Sequence, residues 1–346
     1  MSAQRRAIAH VEARAERSRG DVRARHGGAR IDALAQRVRE RGRVTLSFHP
    51  DRLLGDGRTV VDDLLARGRY RSQFETGISN GSRTAYAGGD RDRWEHALFG
   101  AADQATDTLP AARPKYGALD LFGHLDGGSP RFGSCYFVLR PELRAQCTFT
   151  WGDSHEGPAH IGSLAVLEPV LGALLESVVT KGEALGLALD PPGLFAALSP
   201  SRARPGVVAR ALDTYIEAQV HAELDLASAF VALVVDPSFA GTATGAGLEE
   251  IARRYGLALE RHPGFVLAPR EVPDDFRGPR MVTLAHRIAV DDRLDAAVVG
   301  EAAASLHREP SRWMDWDPSP DVTLQHLKQI WHVLVRYGRP RSGDDD

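Results

Sequence analysis

Lysine is nearly missing from this chain. Lys115, Lys181 and Lys328 are the only three in 346 residues, and almost all the positive charge is arginine. A Schiff-base amine therefore has few places to come from. Cysteine is as scarce. Cys135 and Cys147 cannot build a disulfide framework or a four-cysteine zinc site. Both fall inside apolar, strand-like runs, where a cysteine reads as a small core residue. No apolar run is long enough to span a bilayer, so no membrane partner is expected. The charged N-terminus has no apolar signal core, which points to a cytoplasmic protein or one exported as an effector without a classical signal peptide. A formal net charge of -3 gives no bulk argument for nucleic acid.

What is present is ordinary in bulk and distinctive in pattern. Hydrophobic content of 43% suits a globular protein with one large domain or two ordinary ones. The sharpest pattern runs from Tyr215 to Leu226 and alternates strictly. Tyr215, Glu217, Gln219, His221, Glu223 and Asp225 fall on one face of an extended strand; Ile216, Ala218, Val220, Ala222, Leu224 and Leu226 fall on the other. Such alternation commonly means a half-buried strand with a solvated polar face. Here the polar row lacks lysine and arginine and gathers carboxylates, an amide and an imidazole.

Taken in order, residues 1–42 read as an arginine-rich helical extension, polar and solvated, interrupted at Gly20 and Gly27–Gly28. Ile31, Leu34, Ala35 and Val38 form a short apolar stripe in its second half. Residues 43–290 read as an α+β domain, 291–341 as a C-terminal helical segment and 342–346 as a disordered acidic tail. Val44–Phe48 is a strand stopped by Pro50, which delivers His49, Asp51 and Arg52. A helix from Thr59 to Arg67 ends at Gly68. Tyr70–Thr76 reads as a strand, followed by a long polar loop with Arg83. Arg91–Phe99 returns to helix. Tyr116–Phe122, Arg131–Leu139 and Gln146–Trp151 are strand candidates, the last two read as a hairpin around Pro141–Arg144. A mostly apolar helix covers 163–187, a linker 191–205, and a short helix leads to Tyr215. A strand at Val231–Val235, a glycine-rich loop 241–247 and a helix 248–255 follow. Phe265–Leu267 and residues 281–290 are further strand candidates. The last helix begins near Asp321 as N-cap and presents Leu324, Leu327, Ile330, Trp331 and Leu334 to the core. The fold class expected is α+β, with a central mainly antiparallel sheet.

Two resemblances follow from the motifs. His49-Pro50-Asp51-Arg52, Tyr70-Arg71-Ser72-Gln73-Phe74-Glu75-Thr76-Gly77, Gly88-Gly89-Asp90-Arg91, Arg113-Pro114-Lys115-Tyr116-Gly117-Ala118, Phe132-Gly133-Ser134-Cys135 and Thr148-Phe149-Thr150-Trp151-Gly152-Asp153-Ser154 together resemble an uncharacterised bacterial domain family. More remotely, the order of residue types resembles the ADP-ribosyltransferase fold. That resemblance implies NAD as substrate, with His49 or Arg52 after a first strand holding it and Ser72 or Thr150 lining the pocket. It makes Glu217 on a later strand the chemical group. Gln219 follows the Glu instead of preceding it, and His221 in the same row is an addition to the usual pattern. The acceptor, whether protein, nucleic acid or small molecule, is left open.

The chemistry is consistent with that reading. Cleaving the nicotinamide–ribose bond develops positive charge that one carboxylate can stabilise. The pyrophosphate needs cations, for which Arg52, Arg71 and Arg83 are candidates. Catalytic candidates are thus Glu217, Gln219 and His221. NAD-binding candidates are His49, Arg52, Arg71, Ser72, Gln73, Thr76, Arg83 and Thr150, and all are expected to converge in one cleft. Glu217→Gln is expected to change stability little. A metal-dependent hydrolase is the alternative, drawing on His49, Asp51, Asp153, His155, Glu156, His160 and His221, although no spacing motif unites them and no metal ligand is assigned. A binding module without catalysis is the third reading, with Glu217 and His221 in a satisfied polar network. Phe132-Gly133-Ser134-Cys135 lacks the second glycine of a nucleophile elbow, and 241–247 lacks the lysine of a P-loop.

Overall fold

A computed structural model describes residues 2–78, 85–104, 108–199 and 212–342. Its elements in chain order are α1 (Ala3–His26), α2 (Gly28–Arg41), β1 (Arg43–Phe48), α3 (Val60–Arg67), β2 (Arg69–Tyr70), α4 (Gln73–Thr76), α5 (Asp90–Phe99), β3 (Lys115–Asp120), β4 (Cys135–Leu139), β5 (Cys147–Trp151) and β6 (Ile161–Ser163). There follow α6 (Glu168–Lys181), β7 (Glu183–Ala184), β8 (Leu187–Ala188), α7 (Pro191–Ala197), β9 (Ile216–Val220), β10 (Leu224–Asp225), α8 (Leu226–Ala229), β11 (Phe230–Val235), α9 (Ala243–Tyr255), β12 (Ala258–Arg261), α10 (Arg280–Ile288), α11 (Ala296–Arg308) and α12 (Pro320–Tyr337). Eight strands form one sheet in the order β12-β11-β4-β1-β3-β9-β5-β6. Every pairing in it is antiparallel except β11 with β12. The fold is α+β with a mainly antiparallel sheet and flanking helices, including one at each end of the chain.

Alternation divides the sheet into two faces. Val44, Leu46, Phe137, Phe149, Ile216, Ala218 and Val220 enter the main core, which α2 and α6 cover. Thr45, Tyr116, Thr148, Thr150, Glu217 and Gln219 point the other way, because cross-strand partners share a face and register aligns Glu217 with Ala118 and Thr150. α3 starts at a capping box between Thr59 and Asp62 and ends on left-handed Gly68.

Several expectations need correction. The arginine-rich N-terminus is no solvated extension. Ala7, Val11 and Ala15, four residues apart, bury one stripe of α1, which packs on α6, β6 and α5. Gly20 does not break that helix, whereas Gly27 separates α1 from α2. β4 and β5 are not a hairpin; β1, β3 and β9 lie between them. Tyr70–Thr76 is strand only at β2, because Ser72 and Glu75 form a capping box that opens α4. The glycine-rich 241–247 is mostly the start of α9, capped by Thr242. Residues 281–288 are helical, burying Met281, Leu284, Ala285 and Ile288 at helical spacing. Ser319, not Asp321, caps α12. Phe265–Leu267 contributes only isolated bridges, to Arg339 and Leu294. Arg83, the short helix before Tyr215, the end of the 191–205 linker and residues 343–346 of the tail lie outside the described residues.

Candidate functional site

A cavity of about 190 Å³ opens at the end of β1, between the polar face of the sheet and α3–α4. β1 brings Ser47, His49 and Arg52 to it; the segment around α4 brings Arg71, Ser72, Gln73 and Thr76; β3 brings Lys115 and Tyr116; and β9 brings Glu217. Seven of the candidate catalytic and NAD-binding residues therefore share one cavity, His49, Arg52, Arg71, Ser72, Gln73, Thr76 and Glu217, together with Asp153 from the metal reading, which also includes His49. Gly133 makes the junction possible, since a Cβ there would stand 2.2 Å from the Phe48 backbone nitrogen.

Glu217 is the floor of the site and only 5% exposed. Gln219 Nε2 donates to its Oε1 at 2.8 Å, and the Ser154 backbone N–H approaches Oε2 at 3.5 Å. Burial, reinforced by the nearby Asp153 carboxylate, raises Glu217 to about 7 against the pull of those two donors. Burial would raise Asp153 too, yet bonds from His155 hold it low; His155 Nδ1 lies 2.8 Å from Asp153 Oδ1.

Gln219, His221 and Thr150 do not line the cavity; they stand behind Glu217. Thr148 Oγ1 donates to Gln219 Oε1 at 2.7 Å and lies 2.9 Å from His221 Nε2. The Gln219 amide is oriented by its donation to Glu217, and its second N–H meets Thr150 Oγ1 at 3.3 Å. Thr148 has one proton and gives it to Gln219. His221 must then donate through Nε2, which assigns its tautomer. Burial, aided by the charge of Lys115, lowers His221 to about 3, so the ring is neutral. It packs edge-on against Phe99 at 5.0 Å. The chain His221–Thr148–Gln219–Glu217 holds the carboxylate in one orientation.

The remaining walls divide into committed and open groups. Arg71 is committed: Nε donates to Asp63 at 2.8 Å and Nη1 to the Glu75 carbonyl. Ser72 caps α4 and donates to the Pro110 carbonyl at 2.7 Å. Thr76 Oγ1 bonds back to the Ser72 carbonyl at 3.2 Å, and Thr150 Oγ1 to that of Gly152. Burial and the Arg52 charge lower His49 to about 3, so it enters the site neutral. In contrast, Ser47 Oγ, Gln73 Oε1 and Ser129 Oγ are buried at the cavity without a partner among the described residues. Besides Ser47 and Ser129, the charged or aromatic wall groups Arg91, Tyr116 and Lys115 are not among the sequence candidates. Arg91 lies 4.5 Å over the Tyr116 ring and 4.8 Å over Trp94, with no carboxylate at ion-pair distance among the described residues. Tyr116 donates to Glu95 at 2.7 Å, and burial raises Glu95 to about 7. Lys115, 2% exposed, is lowered by burial to about 8. All three sit in quoted motifs. Only the pairing of β3 with β9 brings Tyr116 opposite Gln219.

The comparisons with known proteins agree on kinship. A family model described as protein of unknown function, DUF3626, matches residues 43–337. The chain belongs to this family. The match takes in every cavity residue above and the C-terminal helices. A relative, the Gene 2 protein of Mycobacterium phage D29, is 29% identical over 169 residues, covering 46% of this chain and 55% of the phage protein. The chain thus matches little more than half of that relative's length. Among the described residues no helix is long and apolar enough to cross a membrane, and no three His, Cys, Asp or Glu side chains are grouped as metal ligands.

Proposed function

We propose that the cavity binds NAD and that the protein cleaves its nicotinamide–ribose bond, passing ADP-ribose to an acceptor or to water. The observation that carries this reading is Glu217: a buried carboxylate, held by a relay of neutral partners, at the floor of a cavity whose walls include Arg52, Arg71, Arg91 and Lys115, aromatic rings, and the carboxylates Asp63 and Asp153. When the bond breaks, its electron pair leaves with neutral nicotinamide and the ribose C1′ becomes cationic. An ionised Glu217 opposes that charge and can accept a bond from the 2′-hydroxyl. The acceptor's nucleophile then bonds to C1′ and gives up its proton.

In the free site Glu217 titrates near 7, and a cationic nicotinamide ring beside it favours the ionised form. Gln219 and His221 act as positioning groups in this scheme, not as acids or bases. Arg91 and Arg52 are the cations for the phosphates, while Arg71, tied to Asp63, shapes the wall. Ser47, Gln73 and Ser129 offer unsatisfied polar atoms that fit hydroxyl and amide groups of a dinucleotide.

The test is incubation of the full chain with NAD, with and without EDTA, following nicotinamide by chromatography and binding by calorimetry. Chelator-insensitive release is expected. Release abolished by EDTA would favour a metal enzyme, and neither release nor binding would remove the reading.

A further inference from the structure

Behind His49 and Arg52 lies a second, smaller chamber of about 30 Å³, and these two residues line both cavities. Its far wall comes from the C-terminal helices: Val299, Gly300 and Ala303 on α11, and Leu327, Lys328 and Trp331 on α12. The helices are fastened to this ridge. Trp331 Nε1 donates to the Pro130 carbonyl at 3.0 Å, and the indole meets the His49 ring edge-on at 5.1 Å. Asp51 lies so close to α11 that a Cβ on Gly300 would overlap its carboxylate.

The chemistry of α12 is unusual for a packed helix face. Lys328 is half-buried, yet its ammonium has no hydrogen bond or ion pair among the described residues. One turn on, His332 is 2% exposed and neither ring nitrogen has a partner among the described residues. Burial, then the charges of Arg131, Arg277 and Lys328, lower His332 to about 2. Lys328 is itself lowered by burial and by Arg131, while Asp153 of the main cavity pulls it the other way. Partial burial of a cation with no internal acceptor has a cost. It makes sense where an anion completes it. Asp51 is the acid of the wall; burial raises it to about 7, so it can stand protonated and donate a hydrogen bond instead of repelling an anion.

We propose that this chamber is a diphosphate subsite of the same cleft, in which the pyrophosphate of the dinucleotide crosses the His49–Arg52 ridge and Lys328 holds one phosphate. The inference rests on the NAD reading of the main cavity. It assigns the C-terminal helices a part in binding, where the sequence suggests only packing.

The experiment is calorimetric titration of the full chain with inorganic pyrophosphate, ADP and adenosine at fixed ionic strength. Lys328→Met is expected to weaken pyrophosphate and ADP about tenfold, the scale of one charge-assisted hydrogen bond, and to leave adenosine unchanged. Lys328→Arg should retain most of the affinity, and Lys181→Gln, on the exposed end of α6, should match wild type. A melting curve for each variant shows whether it is folded. Equal binding of pyrophosphate by wild type and Lys328→Met, or no binding by wild type, overturns the subsite. Lys328-dependent pyrophosphate binding without any nicotinamide release from NAD would uphold the phosphate site and remove the NAD reading, so the two failures are distinguishable.

Discussion

Glu217 and His221 stand four residues apart in one alternating row, and the structure uses them in opposite ways. Glu217, within β9, has one oxygen clamped by Gln219 and its other side open to a cavity that Arg52, Arg91 and Lys115 also line. His221, just past the end of β9, is 1% exposed, spends Nε2 on Thr148 and rests against Phe99. Both feel burial as the dominant influence. It raises the acid to about 7 and lowers the base to about 3, so each is driven towards its neutral form. Only Glu217 can meet a ligand that reverses this. A polar row on a strand is thus neither all scaffold nor all site; access to a cavity decides which residue does which.

The largest expected effect comes from removing the open end. Glu217→Gln keeps shape and the bond from Gln219 but cannot become anionic. Nicotinamide release should fall at least about 100-fold at saturating NAD, the scale of one preorganised electrostatic group. In wild type, kcat/KM should fall on the acid side of about 7, where free Glu217 takes up its proton, and that limb should vanish in the variant. The stability effect differs from the sequence expectation of little change, because Glu217 is buried. Its folded value lies above its ordinary value of 4.5, so the folded state holds the proton more tightly. Stability is full below 4.5 and is lost as pH rises through about 7. The glutamine carries no such loss, so the variant should be more stable than wild type at pH 8 by up to ~3 kcal/mol and should converge with it at pH 4. Urea melts at the two pH values check this. Near-wild-type turnover would make Glu217 a scaffold residue like its neighbour.

How much of this contrast was legible before the fold was known depends on range. Local signals spoke clearly. The Gly68 stop of α3, the Pro50 break after β1 and the alternation of β9 each follow from neighbours in sequence. Other local signals were misread. Ser72-x-x-Glu75 is a capping pattern, and Met281, Leu284, Ala285 and Ile288 keep helical spacing. The rest is long-range. Thr148 joins the relay only because β5 lies beside β9 in a register that sets it opposite Gln219, and no local pattern encodes that pairing. Arg91 faces the cavity only once α5 packs near β3, and Lys328 reaches the smaller chamber only once α12 folds back on the ridge behind His49.

A second variant attacks the clamp between the two ends. Thr148→Val keeps volume and β-branching but strips the acceptor of His221 and the donor of Gln219. Two buried polar groups are then unpaired, and folding stability should fall by ~3 kcal/mol in denaturant melts. Loss of packing alone would stop there. A relay predicts more: kcat down about tenfold with KM for NAD little changed, and the acid limb displaced, because the amide that draws Glu217 towards ionisation is loosened. Thr148→Ser should restore both. A destabilised variant with unaltered kcat and pH profile would cut Thr148 out of the site.

The smallest effect tests whether position in the row matters at all. Glu223 continues the same alternation and carries the same carboxylate as Glu217, but it is exposed and lies between β9 and β10. It pulls on Lys115 through space, an influence that burial outweighs. Glu223→Gln removes that pull across solvent, where exposed charge pairs contribute at most about 1 kcal/mol and usually less. Turnover, KM and the acid limb should match wild type, and stability should move by no more than ~0.5 kcal/mol. Parallel assays with Glu217→Gln provide the comparison, since the two substitutions are chemically identical and differ only in surroundings. A loss of turnover in Glu223→Gln approaching that of Glu217→Gln would mean that net charge along the row, not a single carboxylate facing the cavity, sustains the chemistry, and the assignment to Glu217 would fail.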